Sequence, residues 1–456
     1  MTLGRHRAPD PHRESDRPHA SDRRVTSGRR VRLDYGRHGL DVDMPPETVV
    51  VEPRTVPPLP DEAAAVRDAL RRPIGAPALR SLTHPGDRVA IVHSDMTRPM
   101  PNDKVLPVLL AELGAAGVAP HDITLINALG THRAQTEAEM DALLGPDVVR
   151  RYRCVQHDAR DSQQLVPLVP PESRGPRPTI NRAYAEADLK ILTGLLEPHF
   201  FAGFSGGPKA VLPGIAGIDA IAANHGAANL SHPRATWGVT YGNPVWDKML
   251  AFAIDAGPCF LLNVTVDRAG RLTGVFAGAL EPAHAAGCDA CRAASMVCVA
   301  HRFDVVVTTN AGHPLDLNLY QSVKGMSAAR QITEPGGDIV IATECADGLP
   351  DHGQYAALLR EAGSPDELLR LVAAPGFSRH DQWQAQAQAE IQRNATVHVF
   401  SDGLTPEQIR GALLEPCADV GATVRELLAR KGPGATVCAL PRGPMTVPYV
   451  DADATD

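Results

Sequence analysis

The stretch DRVAIVHSD, residues 87–95, reads as a strand that ends in polar residues. Its run Val89–Val92 is apolar at every position, the pattern of a strand covered on both faces. NDKVLPVLLAELGAAG (102–117) then reads as an amphipathic helix with Gly117 near its end. HDITLINALGTHR (121–133) is the next strand and TEAEMDALLG (136–145) the next helix. Upstream, VRLDYG (31–36) reads as a first strand, and DEAAAVRDALRRPIG (61–75) as a helix stopped by Pro73 and Gly75. Downstream, ADLKILTGLLEPHF (187–200) again runs from strand to polar residues.

Strand and helix in alternation predict an α/β fold with a mostly parallel sheet. Ligands of such sheets bind beyond the carboxyl ends of the strands. That rule singles out SDMTRP (94–99), ALGTHR (128–133) and the end of 187–200. Three strand ends therefore bring Asp95, Arg98, His132 and His199 to one rim.

A second α/β pattern begins near residue 303. FDVVVTTNAG and GGDIVIATEC read as strands around the helix SVKGMSAARQI, helices follow at 354–362, 366–372 and 382–393, and ATVHVFSD is a strand. Two α/β domains are expected, with the active site in the cleft between them. The first spans 31–297, the second 298–430, and 431–456 is expected to return to the first. Residues 1–30, rich in Arg, Asp, His and Ser, are expected to be a disordered tail.

Composition narrows the function. At 456 residues with 43% hydrophobic and 21% charged content, the chain is long enough for two or three cores. A net charge of −8 and 4% aromatics argue against a nucleic-acid partner. No run of about 18 apolar residues predicts a membrane span. The arginine pairs at 23–24 and 29–30 have no apolar segment after them, so no twin-arginine signal is read and the cytoplasm is expected. Cys288, Cys291 and Cys298 lack the second CxxC that a zinc site wants, and are expected to be buried reduced thiols.

LEPHFFAGFSGGPKAVLPGIAG (196–217) is glycine-rich and carries a lysine. Against the Walker A pattern GxxxxGK[ST], Pro208 stands where the second glycine belongs and Ala210 replaces the Ser or Thr. An ATP loop is thereby excluded, and no GxGxxG follows a strand to support a dinucleotide crevice. Gly203, Gly206 and Gly207 suit either close backbone approach to an anion or a tight turn beside a solvated Lys209. His132, His199 and His225 fall at segment ends. Two imidazoles can act as acid and base on opposite sides of a substrate, and a third can ligate a metal. Their spacing is not that of HExxH. Gln321 and Lys324 share a helical face, as a solvated pair or, with Arg98, as a carboxylate clamp. Trp383, in DQWQAQ, reads equally as a packing anchor or a site residue. His313, in NAGHPLD, is read as a solvent-facing loop residue ahead of a substrate contact.

Taken in order, SDMTRP, ALGTHR, EPHFFAGFSGGPKAVLPGIAG, NH (224–225), LNLYQSVKG and DQWQAQ resemble the lactate racemase family over roughly 31–450. The resemblance implies a racemase or epimerase of a 2-hydroxy acid. It implies a nickel-pincer nucleotide (pyridinium-3-thioamide-5-thiocarboxylic acid mononucleotide with nickel) attached through Lys209. It makes His225 the nickel ligand and His132 and His199 the catalytic pair. Arg98 and Lys324 match residues that orient the substrate carboxylate, and Asp95, Tyr320, Gln321 and Trp383 match other pocket residues. The loop with Gly206 and Gly207 then cradles the cofactor phosphate. Hydride leaves the substrate for the cofactor and returns to the other face of a 2-keto acid. Loading needs partner enzymes that make the cofactor. The alternative is a non-catalytic binder of nickel or the nucleotide, which would need only Lys209 and His225.

Overall fold

The computed structural model describes residues 30–168, 177–350 and 353–451, and the backbone of 25–27. The expected tail at 1–30 lies almost wholly outside the described residues. Two sheets organise the chain.

The first has six strands in the spatial order Leu272–Ala279, Phe260–Val266, Leu189–Leu195, Val89–Ser94, Ile123–Ala128, Arg153–Gln156. All neighbours are parallel except the edge Leu272–Ala279, which folds back antiparallel. Val89–Ser94 is buried at its first five positions, as an apolar run without alternation requires. Helix Asn102–Ala115 covers one face with Val105, Leu106, Leu109 and Leu113. The other face packs on Ile221, Val245, Met249 and Phe252. Helix Glu137–Leu144 starts on a capping box, Thr136 with Glu139. From Val89–Ser94 the chain moves outward to Ile123–Ala128, then returns to Leu189–Leu195 on the opposite side. The strand order reverses there, and a crevice opens beyond the carboxyl ends.

The second sheet runs Val25–Ser27, Val49–Val51, Val437–Leu440, Phe303–Thr309, Thr333–Ala342, Ala395–Phe400, Glu415–Pro416. Here the expected domain limits need correction. Val437–Leu440 does not return to the first domain. It is fully buried between Val49–Val51 and Phe303–Thr309, pairing parallel with both. The hairpin Arg30–Leu33 with Leu40–Asp43 also belongs to the second domain, because Val31, Leu33 and Val42 share a core with Val305, Val307, Val340 and Val424. Val447–Val450 pairs with Met296–Val299 at the seam of the two domains, Val447 joining the first core and Val450 packing on the second.

The domains meet through specific bonds. Arg268 pairs with Asp34 at 2.6 Å, and the Trp237 indole N–H donates to Ser327 Oγ at 3.0 Å. Among the described residues no helix is long and apolar enough to cross a membrane. Cys288 and Cys291 are buried and Cys298 half-buried, all as free thiols.

Candidate active site

One cleft lies beyond the reversal of the first sheet, closed from the other side by helices Leu319–Arg330 and Gln382–Gln392 of the second domain. It gathers Asp95, Arg98, His132, His199, Gly206, Lys209, His225, Tyr320, Gln321, Lys324 and Trp383 along its walls. Gly207 is buried and is not part of that lining. His313 is absent from the cleft lining, and its backbone N–H donates to Gly36 O.

Asp95 follows strand Val89–Ser94 and folds its own loop. Its Oδ1 accepts from Thr97 Oγ1 at 2.6 Å and from the Thr97 N–H at 3.2 Å, an Asx-type turn. That leaves Oδ2 for His132 Nδ1 at 2.5 Å. Burial of Asp95 opposes its charge, but the bonds from His132 and Thr97 and the charge of Arg98 prevail and hold the carboxyl at about 2. An ionised Asp95 can only accept, so Nδ1 of His132 carries a proton. In the neutral ring Nε2 then bears the lone pair.

His199 sits in a short antiparallel pairing of Pro198–His199 with Gly203–Phe204. Ser205 Oγ braces it, accepting from the Glu197 N–H at 2.9 Å and donating to Leu195 O at 2.7 Å. The ring is buried against Phe200 and Phe201, with centroids at 5.1 and 4.5 Å. The Ala202 N–H donates to its Nδ1 at 3.3 Å, so the neutral ring carries its proton on Nε2. Burial first, then the charges of Lys209, Arg98 and Lys324, push its pKa well below the ordinary value.

Gly206 and Gly207 adopt φ of 72° and 52° in succession. A Cβ at Gly206 would stand 2.5 Å from Asn263 Oδ1, and one at Gly207 2.3 Å from the His284 ring. Only glycine fits either position. Asn263 Oδ1 also accepts the Gly207 N–H at 2.8 Å. The turn Gly207–Ala210 so formed aims Lys209 into the cleft. Desolvation, then Arg98, lowers its amine to about 7 against the pull of Glu197 and Asp95.

His225 caps helix Ile218–Asn224, and Gly226 does not close that helix in a left-handed turn but begins the next segment at φ −65°. The His225 Nδ1–H donates to Ile221 O at 3.1 Å, which leaves the Nε2 lone pair free. Burial drives its pKa to about 3. A neutral imidazole anchored through Nδ1 could offer Nε2 to a metal. Among the described residues no three His, Cys, Asp or Glu side chains converge to hold a metal ion.

Across the cleft, the N-cap Asn318 accepts the Gln321 N–H at 3.1 Å and starts the helix carrying Tyr320, Gln321 and Lys324. Lys324 Nζ donates to Gln321 Oε1 at 2.8 Å, and burial, then Arg98, lowers its amine to about 7. The Trp383 indole N–H donates to Tyr320 OH at 3.1 Å, and its ring meets His225 edge-on at 5.5 Å. Trp383 thus serves both packing and the cleft. Arg98 is flanked by Glu197 at 3.6 Å.

Four functional neighbours escaped the sequence reading: Thr97, Glu197, Ala202 through its backbone, and Gln384, whose Nε2 donates to Tyr320 O at 2.5 Å. All four fall inside motifs already quoted, Gln384 in DQWQAQ. The adjacency of Thr97 to Asp95 and of Glu197 to His199 was the available signal.

The family described as "Lactate racemase N-terminal domain" matches residues 35–238, and that described as "Lactate racemase C-terminal domain" matches 299–447. The lactate racemase of Thermoanaerobacterium thermosaccharolyticum is 36% identical over 401 residues, spanning 87% of this chain and 93% of the relative. That of Lactiplantibacillus plantarum is 36% identical over 385 residues, 84% and 90% of the two chains. The solved apoprotein of the former superposes with a TM-score of 0.85 at 33% identity, covering 92% of this chain and 100% of that one. A Thermotoga maritima protein shares the fold at TM-score 0.64 and 18% identity, over 85% and 98%. Fold, cleft and relatives together define an isomerase of the racemase class. The chain belongs to the lactate racemase family.

Proposed function

We propose that this chain inverts the hydroxyl-bearing carbon of a 2-hydroxy acid, lactate or a close relative, with a nickel-pincer nucleotide bound at Lys209 and His225. The observation that carries this reading is the opposite wiring of two histidines on two strand ends of one sheet. The cleft residues suit the group: a free Nε2 on His225, an amine at Lys209 lowered to about 7, and Gly206 beside it in the wall, where no Cβ stands in the way of a phosphate. When bound, the cofactor supplies an electron-poor carbon that takes the substrate Cα hydrogen with its electron pair and gives it back.

The protein does the rest. Arg98 and Lys324 hold the carboxylate, with the guanidinium supplying a planar fork. His132 Nε2 takes the hydroxyl proton, and Asp95 stabilises the imidazolium that results. The 2-keto acid is planar and can present its other face. His199 meets it with an Nε2–H. A proton that solvent places on His199 before substrate fills the cleft is given to the oxygen, and the one taken by His132 returns to solvent afterwards, so the cycle carries no net proton. Phe200 and Phe201 exclude water around it. Enzymes that make the cofactor are the partners this reading requires.

The test uses protein co-produced with such enzymes. Intact mass should show an increment that Lys209→Ala lacks. Chiral chromatography after incubation with single enantiomers of a panel of 2-hydroxy acids should show inversion of at least one. Mass-loaded protein that inverts none would overturn the racemase reading.

A further inference from the structure

Helix Gln382–Gln392 carries a row of buried glutamines that serve different domains. Gln388 and Gln392 stay within the second domain, donating to Ala412 O and Leu413 O. Gln386 points the other way. It is 1% exposed, and its Nε2 donates across the interface to Ala227 O at 3.0 Å and Ser231 Oγ at 2.8 Å. Ser231 Oγ donates in turn to Glu390 Oε1 at 3.1 Å, one turn further along the same helix. Ala227 opens the helix Ala227–Leu230, two residues past His225. One turn earlier on the glutamine helix, Trp383 lies against the His225 ring.

His225 is thus held at both sides by different domains. Ile221 O fixes its Nδ1 from within the first domain, while Gln386 fixes the following turn from the second. A buried side-chain amide that spends its N–H group on two acceptors of the facing domain defines a position as well as a contact. We propose that Gln386 is a positioning residue for His225, so that retention of nickel depends on the grip of the second domain. This rests on the reading of His225 as the nickel ligand.

The experiment compares wild type, Gln386→Leu, Ser231→Ala and Gln392→Leu, each co-produced with the cofactor-making enzymes. Nickel per chain is measured, then its rate of loss to EDTA well below each variant's Tm. Gln386→Leu should lose nickel about tenfold faster than wild type, the low end of the effect of removing a direct outer partner of a metal ligand, because Gln386 reaches His225 only through the turn that follows it. Ser231→Ala, which keeps Ala227 O as acceptor, should lose it about threefold faster. Gln392→Leu breaks a similar bond on the same helix and should lower Tm without speeding nickel loss. Equal loss from Gln386→Leu and wild type overturns the proposal, as does loss from Gln392→Leu that matches Gln386→Leu. If Gln386→Leu does not fold, Ser231→Ala decides, and loss at the wild-type rate refutes. A wild type that carries no nickel after co-production counts instead against the proposed function.

Discussion

His132 and His199 stand at the ends of two strands of one sheet and line one cleft, yet their surroundings are opposite. His132 is exposed, and its Nδ1 donates to an ionised carboxylate. His199 is buried, and its Nδ1 accepts from a backbone N–H among cationic neighbours. The first arrangement frees a lone pair at Nε2 and favours taking a proton. The second places hydrogen at Nε2 and resists taking one. Residue type alone therefore says little about role; the partner of the far nitrogen decides it.

Removing either ring should cost most. His132→Ala and His199→Ala should each lower kcat for racemisation by about 10²-fold to 10⁴-fold, as read by chiral chromatography. A loss confined to one of them would mean that a single ring serves both faces. Asp95→Asn erases the difference without removing a ring. An amide N–H facing Nδ1 would make it an acceptor and turn His132 into a likeness of His199. A fall of about 10²-fold in kcat is expected, with cofactor loading intact by mass.

Titration separates the two sides next. The unfolded chain protonates a histidine near 6.5, whereas native His199 stays neutral well below that. The unfolded state then binds the extra proton, so this stability is present above 6.5 and is lost as pH falls toward the folded value. His225 at about 3 and His284 at about 4 act with the same sign. Asp95 has its window lower, between 3.8 and about 2. Apoprotein Tm should therefore begin to fall below pH 6.5. His199→Gln should flatten the stability curve there by about 1.4 kcal/mol per pH unit, the weight of one proton. An unchanged slope would contradict the buried neutral ring. The smallest effect belongs to Thr97→Val. It deletes the 2.6 Å bond to Asp95 Oδ1, worth about 1 kcal/mol, and should lower kcat/KM about fivefold.

Much of this site was legible because its parts are local. Asp95, Arg98, His132 and His199 each follow an apolar run, and the rule about carboxyl ends brought them together. The glycine turn was also legible, although only the positions of Asn263 and His284 explain why Gly206 and Gly207 admit nothing larger. What escaped depends on contacts distant along the chain. Nothing in GATVCALPRG shows that Val437–Leu440 inserts between Val49–Val51 and Phe303–Thr309. Apolar strands suit either sheet equally, and pairing partners are chosen by the whole core. Gln386 likewise reads as one more glutamine in a helix until Ala227 lies opposite.

The threading of the second sheet bears on how the molecule is born. Its strands come from both ends of the chain, with the first domain looped out between them. On a ribosome the first sheet has all six strands once Ala279 has emerged. The second must wait for Val437–Leu440, which leaves Val49–Val51 without that neighbour through most of synthesis and one flank of Phe303–Thr309 uncovered until near its end. The half that holds the histidines and Lys209 can thus be shaped before the half that closes over it.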